Sequence, residues 1–147
     1  MEETVISKNA ELIVAMRNGI SETLEVIKVI GEDLVSSADL LRNEESERVF
    51  TSLSDGLENL ANLMDFVREI KRGIGHLGGD ALSADLLSCW DRSLTLFKEM
   101  LSAFENRDWI TVADLIQYEI YPLLEEGHKG LTGLLQQLDS IECQKKP

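Results

Sequence analysis

Proline, cysteine and histidine are all scarce, two of each in 147 residues. Cys89 and Cys143 match no CxxC spacing, and two cysteines do not make a disulfide framework, which excludes a small disulfide-stapled secreted scaffold. Cys89 reads as a packed thiol and Cys143 as a tail thiol. His76 and His128 are too few for a histidine-rich iron site. No apolar run approaches the roughly 20 residues of a membrane span, and the N-terminus MEETVISKN has no hydrophobic signal core, so a cytoplasmic protein is expected. Cations are also in deficit, 14 Lys and Arg against 27 Asp and Glu, a net charge of −13. That balance repels phosphate backbones and anionic lipid, and so argues against nucleic acid and membrane surfaces as partners. Basic proteins, basic peptides and metal ions are left, beside the plain alternative that acidity keeps a small protein soluble.

What is present is a folded chain. A hydrophobic fraction of 44% with 28% charged residues is far too apolar for disorder, and the length suits one compact domain. From Val5 the apolar residues fall at Ile13, Met16, Ile20, Leu24, Ile27, Ile30, Leu34, Ala38 and Leu41, in steps of three and four. This stripe passes Gly31 in phase and predicts one helix to about Arg42. Asn43 is placed to cap a second helix with Glu44 and Glu45 in its first turn. Phe50, Leu53, Leu57, Leu60, Met64, Val67 and Ile70 form its stripe, with Gly73 as the natural C-cap after Lys71 and Arg72.

Residues 73–80, GIGHLGGD, read as a hinge or hairpin. Leu86, Trp90, Leu94, Phe97, Leu101 and Phe104 then predict a third helix, capped by Asp80 or Ser83. Asn106 or Asp108 can cap a fourth helix beginning at Trp109 or Ile110, with Val112, Ile116, Ile120, Leu123, Leu131, Leu134, Leu138 and Ile141 on its stripe. No segment alternates as a strand does. An all-α antiparallel four-helix bundle with long helices follows, a single domain over 1–142 with a disordered tail at 143–147.

One stretch interrupts the regular pattern, YEIYP at residues 118–122. Pro122 lacks a backbone donor and crowds the carbonyl of Tyr118, yet Ile116, Ile120 and Leu123 keep phase across it, so a kinked helix is expected rather than an end. Asp114, Tyr118, Tyr121 and Glu125 fall three or four residues apart and share a face, with Glu119 and Pro122 beside them. Two readings stand: a recognition surface with the tyrosines as anchors, or tyrosines packed at the bundle edge with their hydroxyls in water.

Tests for chemistry return little. A di-iron bundle needs Glu-x-x-His on two helices, and only Glu125 and His128 supply one copy. His76 lacks the following lysine of a phosphotransfer helix, and the glycine-rich stretch follows a helix and lacks the Lys-Ser/Thr of a phosphate loop. The sequence therefore yields no catalytic residue and no cofactor.

The string AFENRDWITVADLIQYEIYPLLEEG carries a resemblance. It is similar to a family of small helical proteins of bacteria, a domain of unknown function, through Ala103 to Trp109, Ala113 to Leu115, Tyr118 to Ile120 and Pro122 to Glu126. A weaker likeness covers residues 44–67 around Gly56 and Leu57. The family's tryptophan after the Glu-Glu pair is replaced here by Gly127 and His128, which leaves the course of helix four beyond Gly127 open. The resemblance implies an association with motility.

Two functions are carried forward. One is a non-enzymatic interaction protein, an adaptor or chaperone for a motility or secretion component, taking an amphipathic helix or a basic segment as partner. The other is a carboxylate-rich bundle with Asp114, Glu119, Glu125 and His128 as ligands for a hard metal or a small molecule. Exposed parts of the long stripes also leave a homodimer open.

Overall fold

The computed structural model describes residues 2–44, 46–77 and 82–145. Its elements are α1 (Glu2–Asn43), α2 (Glu47–Leu77), a 3₁₀ helix (Ala84–Arg92) continuing into α3 (Ser93–Glu105), and α4 (Trp109–Leu115) joined through a π turn (Ile116–Ile120) to α5 (Tyr121–Lys145). No strand occurs among the described residues, and no described helix is long and apolar enough to cross a membrane.

α1 is one helix of 42 residues, about 60 Å long at 1.5 Å per residue. Its stripe is buried from Ile13 to Leu41, with Leu24 half-buried. The side chains of Val5 and Cys143 lie outside the described ones. Leu34 faces Gly56, Gly19 faces Phe66 and Met16 faces Gly73, which fixes α2 antiparallel to α1. On the other flank Gly31 faces Tyr121, Arg42 reaches Asp114 and Arg17 reaches Asp139, so α5 is antiparallel to α1 as well. Trp90 lies on Gly127 and Leu86 on Gly130, and Ser83 N–H donates to Gln137 Oε1 at 2.9 Å, which sets the third helical run antiparallel to α5. The result is an up-down-up-down four-helix bundle with α1 diagonal to the third run. Its axis is filled by Ile20, Leu34, Leu53, Leu87, Met100, Ile116, Leu123, Leu131, Leu134 and Leu138.

The helix ends depart from the sequence reading in three places. Ser46, not Asn43, caps α2: Val49 N–H donates to Ser46 Oγ at 3.3 Å, while Asn43 Nδ2 turns back to the Asp39 carbonyl at 3.0 Å. Glu45 lies outside the described residues. α2 also passes Gly73 and ends at Leu77, taking Ile74 to Leu77 of the expected hinge into the helix. Gly73 is buried against Met16, and the contact of Ile70 and Ile74 with the core outweighs a glycine penalty of about 1 kcal/mol. Gly78, Gly79 and the cap candidate Asp80 lie outside the described residues; Ser83 occupies the cap position without a side-chain cap bond. The last helix runs through Gly127 to Lys145, while 146–147 of the expected tail lie outside the described residues.

The turn between α3 and α4 follows the sequence closely. Asp108 caps α4, accepting from Thr111 N–H at 3.3 Å and Thr111 Oγ1 at 2.6 Å. α3 closes as a Schellman motif: Arg107 N–H donates to the Phe104 carbonyl at 3.1 Å and Asp108 N–H to the Ala103 carbonyl at 2.9 Å. The left-handed position is Arg107, at φ 57°, where glycine is usual. A side chain there costs about 1–2 kcal/mol. Arg107→Gly should therefore stabilise the protein by about 0.5–1 kcal/mol once the greater freedom of unfolded glycine is subtracted. Urea unfolding checks this, and equal or lower stability would show that the arginine makes a compensating contact. Trp109 then stacks on Phe50 with centroids 4.7 Å apart and meets Phe104 edge-on at 5.4 Å, closing that end of the bundle.

Candidate functional site

Pro122 lies in the first turn of α5, and the turn before it is wound as π rather than α. Tyr121 N–H donates to the Ile116 carbonyl, five residues back, so the chain passes Pro122 through one widened turn and continues as a helix rather than ending there. Ile116, Ile120, Leu123 and Leu124 all remain buried across it. A π turn in a helix is frequently a functional feature.

This one is held from α1. Arg42 Nη2 donates to Asp114 Oδ1 at 2.6 Å and to Gln117 Oε1 at 2.7 Å, and Arg42 Nε reaches the same Gln117 oxygen at 3.2 Å. Gln117 Nε2 in turn donates to Asp39 Oδ1 at 2.6 Å. The hydrogen bond with Asp114 holds the Arg42 pKa above its ordinary value, against desolvation. The network joins the last turn of α1 to the residues that open the π turn.

The six residues singled out from the sequence consequently separate. Asp114 belongs to this network. Tyr121 leans on α1, its ring carbons 3.3 Å from where a Cβ on Gly31 would stand. With Glu125 it lines a cleft of about 290 Å³ between α1 and α5 that also includes Lys28, Glu32, His128 and Lys129. Tyr118 is 69% exposed; Glu119 is exposed and Pro122 half-buried. Of the two tyrosines, Tyr121 is the one set against Gly31, and it is the less exposed at 36%. Ile110, two turns before Tyr118, is 71% exposed. Arg42, Gln117 and Gly31 were not singled out from the sequence; the polar Gln117 inside an apolar stretch was the available signal, but its partners are 75 and 78 residues away.

The proposed metal ligands do not converge. Among the described residues no three His, Cys, Asp or Glu side chains form a group able to hold a metal ion, and Asp114 is committed to Arg42. Cys89 is a half-buried free thiol. Burial, with Glu126 second, pushes its pKa up and disfavours the reactive thiolate.

Fold and site together define an up-and-down four-helix bundle whose fourth helix is interrupted by a clamped π turn presenting an exposed tyrosine. The chain belongs to the family described as a domain of unknown function (DUF8042), which matches residues 18–130 and so includes the π turn, the 3₁₀ helix and Gly127. No curated protein and no solved structure matches the chain.

Proposed function

We propose that this protein is a non-enzymatic interaction protein, an adaptor or chaperone that holds a partner protein at the π-turn face. The observation that carries the reading is Tyr118, a large amphipathic ring left 69% exposed on a segment tied to α1 by four side-chain hydrogen bonds. Tyrosine supplies contact area with few rotatable bonds, and a backbone already held in place has little freedom to lose on binding. Ile110, at the start of α4, adds an aliphatic surface that no described residue covers.

Affinity capture from native lysate, wild type beside Tyr118→Ala, tests the reading. An exposed ring contributes little to folding, so the variant should melt close to wild type, within about 0.5 kcal/mol of its stability. A partner retained by wild type should be weakened about tenfold or more in the variant, as for an aromatic interface anchor. Equal recovery on both removes the π-turn face from the interface. Tyr121 is a poorer test position because its ring also packs on Gly31.

A further inference from the structure

We propose that the groove between α1 and α2 is a docking site for a cationic amphipathic helix of another protein. The proposal shares with the preceding section the reading of the chain as an interaction protein, but it concerns the opposite flank of α1 and a separate surface.

The groove is about 640 Å³, with the buried Ile30 and Leu63 and the half-buried Phe66 as its apolar lining. Above them stand Val26 and Val29, 50% and 55% exposed, three residues apart on α1. Neither belongs to the stripe that faces the core, and nothing in the described chain covers them. Glu22 and Asp33 mark the two ends of the lining on α1 and Glu25 lies between them; every titratable group lining the groove is a carboxylate. The cleft on the other flank of α1 differs, since Lys28 and Lys129 there stand beside Glu32 and Glu125 and balance them within the chain. The charge of the α1–α2 groove is left for a ligand to balance.

Size and shape narrow that ligand. Glu22 to Asp33 spans about 17 Å of helix, the length of three turns. A helix laid along the groove would place apolar side chains at i, i+3 or i+4, and i+7 over Val26, Val29 and Phe66, with Lys or Arg on its flanks against the carboxylates. A second copy of this chain fits poorly, because a symmetric contact would set Glu22, Glu25 and Asp33 against their own counterparts.

The test is a fluorescence-anisotropy titration of the full chain with a labelled synthetic peptide of about 14 residues carrying leucine on one helical face and lysine on the flanks. A scrambled peptide of equal composition and a version with glutamate for lysine serve as comparisons. The patterned peptide should bind, and the other two should bind at least about tenfold more weakly. Val29→Asp and Glu25→Lys, each shown by circular dichroism to stay helical, should lose about tenfold or more, and Tyr118→Ala should bind as wild type does. The proposal is overturned by equal binding of the scrambled peptide, by unchanged binding by Val29→Asp, or by a wild-type dimer in sedimentation that Val29→Asp dissolves. Loss of the peptide in Tyr118→Ala alone would move it to the π turn and overturn the groove. Loss in Val29→Asp with a lysate partner indifferent to Tyr118 would instead support the groove and remove the π-turn face as the place where the partner is held.

Discussion

Gly130→Ala should destabilise the protein by about 2–3 kcal/mol, although alanine is by roughly 1 kcal/mol the better helix former. The reason is the 3₁₀ helix at Ala84–Arg92. Its Leu86 carbonyl oxygen sits against Gly130 so closely that a Cβ there falls inside its van der Waals envelope. The obstruction is backbone, so no rotamer change relieves it. The 3₁₀ helix must move off α5, and Leu87 and Trp90, both buried, must move with it. A fall in Tm of roughly 6–10 °C follows for a domain of this size. Gly75→Ala is the matched control: Gly75 is also helical, and a Cβ there meets nothing within 4 Å. That variant should gain up to about 1 kcal/mol. Urea unfolding of the three proteins should give changes of opposite sign, and a stable Gly130→Ala would refute the close approach.

The second large effect lies next to the first. Trp90 is 3% exposed and its ring occupies the volume a side chain at Gly127 would need. Trp90→Ala should cost about 3–5 kcal/mol, the usual range for an aromatic removed from a core. Trp90→Phe should cost far less than its lost area suggests. The buried indole N–H has no acceptor among the described protein atoms, so phenylalanine removes a desolvation penalty of about 1–3 kcal/mol along with the lost contacts. Gly127→Ala should be destabilising in the wild type and close to neutral beside Trp90→Ala, where its methyl group enters the space vacated by the indole. A double-mutant cycle should therefore return a coupling of about 1–3 kcal/mol, and a coupling near zero would mean that Trp90 does not cover Gly127.

How far the sequence could be read depended on whether each helix keeps one period. α1 and α2 are regular α-helices, and their stripes from Ile13 to Leu41 and from Leu53 to Ile70 are buried as the spacing requires, Leu24 alone being half-buried. The third run fails that condition. A 3₁₀ helix advances about 120° per residue against 100° in an α-helix, so over nine residues the phase drifts by roughly half a turn. Leu94 and Leu101, on the expected stripe, are exposed, while Leu87, Met100 and Ala103 are buried in their place. No local pattern announces this, because the tight helix fits the glycine face of α5, about forty residues further on. At the site, the three- and four-residue spacing grouped Tyr118 with Tyr121, but the turn between them is π, where that spacing no longer defines a face. Pro122 and the two tyrosines marked the segment as unusual, but nothing local could supply Arg42, which meets it only in three dimensions.

Every helix in the bundle has antiparallel neighbours on both sides. The dipoles of adjacent helices therefore oppose one another and largely cancel at a distance. What an approaching molecule feels from beyond the surface is the side-chain charge, 27 carboxylates against 14 cations. Encounters with positively charged molecules are accelerated and their trajectories biased before any contact forms, over a range set by the screening length of about 8 Å at physiological salt. Added salt should slow those encounters while leaving the lifetime of an apolar contact, once made, nearly as long as before.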